Sequence, residues 1–212
     1  RAGQFQRFGP AEGFVEDKPL CLLELDDGKI WCGGGDRILE YNGHSWSVVR
    51  SGLDRVSQMR KARNGKLWIA TGRGLFSYAE GTWVMNGVEE GLPSPAVSAV
   101  LEDRRGRIWA GTTRGLSLYH PDADVHPPKT LPPTVENAGQ SSTEGPITVV
   151  FNAVDRWQYT PADRLLFSWR IDGAQWSPYT NAMTEFVANM AAGKHRFEVR
   201  SMDRNWNTDR AT

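Results

Sequence analysis

The stretch "GRIWAGTTRGLSLY", residues 106–119, states a pattern that the chain carries three times. The other copies are "GKIWCGGGDRILEY" (28–41) and "GKLWIATGRGLFSY" (65–78). Each runs glycine, basic residue, aliphatic, tryptophan, a small-residue turn, and a tyrosine ten positions after the tryptophan: Trp31 to Tyr41, Trp68 to Tyr78, Trp109 to Tyr119. Successive tryptophans lie 37 and then 41 residues apart. A period near 40 residues, punctuated by glycine and aromatics, is the signature of β-propeller blades.

Each copy reads as four short strands. In the second, "SQMRKA" (57–62) is innermost, followed by "KLWIA" (66–70), "LFSY" (75–78) and the outer "TWVMN" (82–86). Asn64-Gly65 and Asp27-Gly28 are hairpin-turn dipeptides. Pairing about Asp27-Gly28 sets Cys21 opposite Gly34, which makes Cys21 and Cys32 diagonal neighbours on one face. A disulfide there has unfavourable geometry, so two free thiols are expected. In the first copy "SWSVV" (45–49) is the outer strand.

The N-terminal "QFQRFGPAEGF" (4–14) lines up with "TWVMNGVEEGL" (82–92), because Phe5 to Gly13 and Trp83 to Gly91 are both eight positions. The third copy has no obvious outer strand after Tyr119. Residues 3–8 therefore either belong to an upstream blade or complete the third blade by strand exchange. Three blades are fewer than the four to eight that close a propeller. Residues 1–121 are thus expected to be a fragment of a larger propeller, or an array that closes by pairing with another chain.

Residues 121–146 hold six of the chain's twelve prolines. Residues 122–146 read as a linker, with "TVENA" (134–138) the candidate for one edge strand. From 147 to 212 the pattern is alternation. Ile147, Val149, Phe151 and Ala153 share a face. Leu165, Phe167, Trp169 and Ile171 share another, with Ser168, Arg170 and Asp172 opposite. After "AAG" (191–193), Phe197 and Val199 point inward, with Arg196, Glu198 and Arg200 outward. This predicts a half-solvated antiparallel sheet in a small immunoglobulin- or fibronectin-like sandwich. The fold class is all-β: a partial propeller of about three four-stranded blades, then the sandwich.

The phrase "EDRRGRIWAGTTRGLSLY" (102–119) resembles the two-component regulator propeller repeat. The segment "RLLFSWRIDGAQWSPYTNAMTEFVANMAAGKHRFEVRSMDRNWN" (164–207) resembles the triple-tyrosine domain, an immunoglobulin-like module. That order is similar to the C-terminal part of the periplasmic sensor region of bacterial hybrid two-component proteins. The resemblance implies an extracytoplasmic sensing role, a carbohydrate signal, and a homodimer through the sandwich. In that family a membrane helix and a kinase module follow, and neither lies within these 212 residues. Where the family places its three tyrosines, this chain has Trp169, Phe186 and His195, which are expected in structural roles.

The bulk numbers exclude several classes. Lys plus Arg and Asp plus Glu both number 25, for a net charge of zero. This argues against a broad basic nucleic-acid footprint and against a polybasic membrane patch. No apolar run approaches the roughly 18 residues of a membrane span. The chain opens at Arg1 in mid-pattern, as a fragment of something longer would. Its four histidines are scattered, "DADVH" (122–126) lacks a second ligand cluster, and neither a Gly-x-Ser-x-Gly elbow nor a phosphate loop occurs. No catalytic residue, metal or cofactor is expected. A propeller-fold lyase or glycosidase is the minor alternative, and a secreted adhesion or scaffold module the main rival.

Trp31, Trp68 and Trp109 recur in one frame and are expected to pack blade on blade. The positions that vary lie in the turn between second and third strands, on the same face as the connection into the next blade. There Asp36, Arg73 and Arg114 share one frame position, five past each tryptophan. With Thr112 in the turn and Glu90 in the connection, they are the candidate ligand-binding residues; an arginine there suits a carboxylate or sulfate.

Overall fold

The computed structural model describes residues 3–136, 147–187 and 193–209. The chain divides into two compact units, Arg1–Ala79 with Val84–His120, and Glu80–Trp83 with Pro121–Thr212.

The first unit holds three antiparallel sheets in sequence. Blade 1 is β1 (Cys21–Glu24), β2 (Ile30–Gly33), β3 (Ile38–Tyr41) and β4 (Trp46–Arg50). Blade 2 is β5 (Gln58–Lys61), β6 (Leu67–Thr71), β7 (Gly74–Ala79) and β8 (Thr82–Asn86). Blade 3 has three strands, β9 (Val97–Glu102), β10 (Ile108–Thr112) and β11 (Gly115–Tyr119), with β10 in the middle.

The turn between first and second strands is one residue longer than the dipeptide signals predict. Leu25 donates to the Lys29 carbonyl, Ala62 to Lys66 and Asp103 to Arg107, each closing a three-residue loop. The third loop residue is Gly28, Gly65 or Gly106, with φ of 78°, 84° and 80°. This is a type I turn ended by a left-handed glycine, the usual three-residue hairpin loop. The extra residue shifts the register by one: Cys21 faces Gly33, and Cys32 faces Leu22. The expected diagonal contact is therefore wrong, since cross-strand partners share a face and Cys21 and Cys32 project from opposite faces. Both thiols are free.

The repeated aromatics seal the seams between blades. Trp31 meets Tyr78 of the next blade at a ring-centroid distance of 5.1 Å, and Trp68 meets Tyr119 at the same distance. Trp31 is 2% and Trp68 3% exposed. An indole burying about 200 Å² at about 25 cal/mol/Å² contributes on the order of 5 kcal/mol. Ala70, Leu75, Val97, Val100, Ile108 and Ala110 fill the rest of the second seam. Trp109 is only half-buried. Arg107 lies over its ring at 5.3 Å, and Leu101 and Leu116 on the same face are exposed.

The alignment of the N-terminus with the end of blade 2 describes a real local likeness. Gly9 and Gly87 each precede a single 3-10 turn (Pro10–Glu12 and Val88–Glu90) that ends on a left-handed glycine, Gly13 or Gly91. In both, the glutamate carboxylate accepts the N–H of the leading glycine. Phe14 donates to the Gly9 carbonyl as Leu92 does to Gly87. Gly3–Phe8 itself forms no strand. Phe8 packs on Tyr41 and Trp46, and Phe14 on Trp46.

In the second unit, β12 (Lys129–Thr130) pairs with β15 (Ala153–Val154). A second sheet runs β13 (Thr134–Glu136), β14 (Ile147–Val150), β17 (Thr184–Val187), and a third pairs β16 (Leu166–Ile171) with β18 (Phe197–Met202). The proline-rich stretch is thus more than a linker. It supplies two edge strands, each starting just after a proline pair, where a missing N–H costs no ladder bond. Asn137 and Ala138 of the candidate strand, and Ala191 and Ala192 before the last one, lie outside the described residues.

The predicted alternation sets the core of this unit. Val149, Phe151, Ala153, Leu165, Phe167 and Val199 are buried together, with Ile147, Trp169, Val187 and Phe197 against them. Phe197 stacks between Phe151 at 5.8 Å and Trp169 at 5.5 Å. The polar face of β16–β18 differs from the half-solvated surface expected. Trp176 lies over it, between the guanidinium groups of Arg170 at 4.6 Å and Arg200 at 4.2 Å. Arg170 grips Glu198 through two hydrogen bonds of 2.9 and 3.0 Å, and Ser168 donates to the Ser177 carbonyl at 2.7 Å. Charge pairing and cation–π stacking let this polar face be covered.

Candidate functional site

The turns between second and third strands, and the connections between blades, do share one face. In blade 1, Leu53, Arg55 and Val56 of the connection donate to the carbonyls of Asp36, Gly35 and Gly34. In blade 3, Thr113 donates to the Ala96 carbonyl, and its hydroxyl lies 2.9 Å from that of Ser94.

Two candidate residues converge on one residue, Gly52. The Asp36 carboxylate accepts the Gly52 N–H at 3.3 Å, and the Arg73 guanidinium donates to the Gly52 carbonyl at 3.2 Å. Both side chains are exposed, yet both brace the connection between blades 1 and 2. The Thr112 hydroxyl donates to the Gly115 carbonyl at 2.9 Å and accepts the Arg114 N–H at 3.2 Å. Thr71 does the same with Gly74 and Arg73. Thr112 is therefore committed to shaping its turn, and the Glu90 carboxylate to the Gly87 N–H. Arg114 differs: its side chain is exposed and, among the described residues, its guanidinium has no hydrogen-bond or ion-pair partner. It is the candidate best placed to meet a ligand.

Glu16 is the residue that sequence reasoning missed. Its side chain is 7% exposed, and its Oε1 accepts the N–H groups of Gly35 at 3.1 Å and Lys18 at 2.9 Å. A Cβ on Gly34 would overlap the Glu16 carboxyl, and one on Gly33 would press on Val56 and Cys21. Three successive glycines were the available signal: they mark a seat for a neighbouring chain segment, not a variable ligand loop.

On the opposite face, Asp103 accepts the Trp109 indole N–H at 3.0 Å, the Arg107 side chain at 2.7 Å, and the backbone N–H groups of Arg105 and Arg107. The indole bond first, with the others, holds its carboxyl well below the ordinary range. Burial pushes the nearby turn residue Lys66 down to about 8. Among the described residues, no group of three or more His, Cys, Asp or Glu is arranged to hold a metal ion. His126 and Asp124 of the "DADVH" run stand 3.8 Å apart.

Of the three positions expected to be structural in the second unit, Trp169 stacks on Phe197 at 5.5 Å. His195 is exposed and ties its Nδ1 to Asp172 at 2.7 Å, closing the turn where Arg196 N–H also meets Asp172. Phe186 lies on the other side of its strand from the core. It faces outward across from Thr148 and is 68% exposed, because β17 turns Glu185 and Val187 toward the core side.

The sequence profile of the family described as "two component regulator propeller" matches residues 91–114, spanning the 2-to-3 connection and the blade 3 turn. No curated protein sequence matches the chain. Among solved structures, the chain is similar to the extracellular domain of a protein described as a hybrid two-component system, BT3049 of B. thetaiotaomicron. Identity is 16%, the TM-score 0.53, and the match covers 97% of this chain and 32% of that one. Weaker likenesses are to the extracellular domain of BT4673 of the same organism (15% identity, TM-score 0.40, 92% and 30% covered) and to PorZ, a surface component of the type-IX secretion system of Porphyromonas gingivalis (15%, 0.43, 92% and 30%). The chain spans about a third of the length of these structures. The likeness to BT3049 shows the fold: all-β and propeller-like. No helix among the described residues is long and apolar enough to cross a membrane.

Proposed function

We propose that this chain is part of the extracytoplasmic ligand-sensing region of a bacterial two-component signalling protein. The blades are the recognising part and are non-catalytic. The second unit is an immunoglobulin-like module of the triple-tyrosine type that relays their position, as a homodimer in the parent protein. The signal is an oligosaccharide bearing a carboxylate or sulfate.

The observation that carries this reading is Arg114, an open guanidinium on the connection face, inside the segment that matches the regulator propeller profile. Rigid turns on both sides hold it: Thr112 fixes its backbone, and Ser94 meets Thr113 beside it. A planar fork in such a place grips an anionic group through two parallel bonds. The likeness to the extracellular domain of BT3049 supports the extracytoplasmic placement.

Calorimetric titration of the intact chain against a panel of acidic oligosaccharides tests it. Arg114→Ala should weaken binding by about ten- to a hundredfold, the worth of a charged hydrogen-bonded contact. Arg73→Ala should weaken it less, because that side chain already serves Gly52. Unchanged affinity in Arg114→Ala would remove the site, and product formation from the panel would overturn the non-catalytic reading.

A further inference from the structure

Three connections lead into the three blades, and the middle one is the shortest. Each runs from a left-handed glycine to the first-strand residue paired with the second position after the blade's tryptophan. Gly13 to Cys21 and Gly91 to Ala99 are eight positions, and Gly52 to Gln58 is six. The short connection closes its gap by turning through Asp54 and Arg55, with φ of 48° and 53°. Among the described residues, this is the one pair of consecutive non-glycine residues in the left-handed region. Aspartate tolerates that region and arginine adopts it at a cost. Such strain collects where side chains are presented to a ligand.

The backbone of the pair is tied down on every side. Leu53 before it and Val56 after it are completely buried. The Arg55 N–H donates to the Gly35 carbonyl of the blade 1 turn, and the Asp54 carbonyl accepts the Gly72 N–H of the blade 2 turn. Asp36 and Arg73 fix Gly52 just upstream. Gly72 makes the seat, because a Cβ there would overlap both the carboxylate and the carbonyl of Asp54. Yet both side chains are exposed, and among the described residues neither has a hydrogen-bond or ion-pair partner. Glu16 is the contrast. It enters the blade 1 turn from the preceding connection, but it is 7% exposed and its carboxylate is committed to two backbone N–H groups.

We infer that Asp54 and Arg55 form a second ligand contact, at the junction of blades 1 and 2, for an oligosaccharide with acidic groups on more than one ring. Arg55 takes one carboxylate or sulfate through its planar fork, as Arg114 takes another at the junction of blades 2 and 3. Asp54 accepts hydroxyls of the sugar ring beside it. The inference rests on the reading of the connection face as the recognising surface, and it sets the number of acidic rings that surface requires.

Calorimetry on the intact chain tests it, with galacturonate oligomers of one to four rings in one arm and a sulfated chondroitin tetrasaccharide in the other. Affinity should rise at least tenfold from the single ring to the longer oligomers. Arg55→Gln should lower it about tenfold and flatten its dependence on salt. Asp54→Ala should lower it about threefold; a gain on removing that charge would show Asp54 repelling the ligand and would overturn its assignment. Arg55→Gly should lose binding equally while raising the urea midpoint, because glycine enters the left-handed region freely. A lowered midpoint would make Arg55 a structural residue and overturn the inference. Wild-type binding that Arg114→Ala weakens and Arg55→Gln does not overturns this inference alone. No binding in either arm overturns it together with the function on which it rests.

Discussion

Trp31 and Trp68 occupy equivalent buried places but differ at one atom, and that difference has a measurable consequence. The Trp31 indole N–H donates to Glu40 at 3.0 Å. The residue across from Trp68 is Ser77, not a glutamate, and the Trp68 N–H is buried with no partner among the described residues. Replacing either tryptophan by phenylalanine removes a few tens of Å² of apolar contact, about 1 kcal/mol. Trp31→Phe also loses a hydrogen bond to a charged group, about 1 kcal/mol here because Glu40 keeps Lys29 at 3.3 Å. Trp68→Phe instead relieves an unpaired buried donor, a gain of about 1–3 kcal/mol. The expected costs are about 2 kcal/mol for Trp31→Phe, and zero or a slight stabilisation for Trp68→Phe. Urea unfolding monitored through the first transition measures both. Equal costs, or a larger cost for Trp68→Phe, would refute this hydrogen-bond reasoning.

Three further outcomes follow from single sites. The Asp103 carboxyl is held below its ordinary value of 3.8, so its contribution is complete above that pH and is lost as pH falls toward the folded value. The stability gap between wild type and Asp103→Asn, read from unfolding midpoints, should therefore shrink as the pH is lowered through the carboxylate range. Burial pushes both thiols up to about 11, so alkylation of Cys21 and Cys32 at pH 8 should run roughly 100-fold slower in the folded chain than in urea. A mild oxidant should form no intramolecular disulfide, because the two side chains leave opposite faces of blade 1. Gly13 and Gly28 have φ of 80° and 78°, but a Cβ on Gly13 would overlap the Trp46 carbonyl while one on Gly28 meets nothing. In thermal melts, Gly28→Ala should cost about 1 kcal/mol and Gly13→Ala clearly more.

The blades were legible because their repeat is periodic in residues that each do one local job: a turn glycine, a seam tryptophan, a seam tyrosine. Where one residue serves several partners, the sequence was less informative. Asp27-Gly28 reads equally as a two-residue turn or as the end of a three-residue one, and only backbone geometry separates them. That single-residue ambiguity misplaced the cysteines. Thr112 and Glu90 looked available because their backbone partners lie two or three residues away and leave no pattern. Glu16 carried no periodic signal, since it enters the blade 1 turn from an irregular segment. In the second unit, alternation found the core but could not foresee that Trp176, from outside the strands, covers the polar face.

The claim on which the architecture rests is that consecutive blades are joined by direct tryptophan-to-tyrosine contact. A double-mutant cycle on Trp68→Ala and Tyr119→Ala, with stability measured by urea unfolding, isolates that contact. Rings 5.1 Å apart in a buried seam should give a coupling of about 0.5–1.5 kcal/mol. Strictly additive losses would mean that the two rings do not meet, and would contradict the blade-on-blade stack.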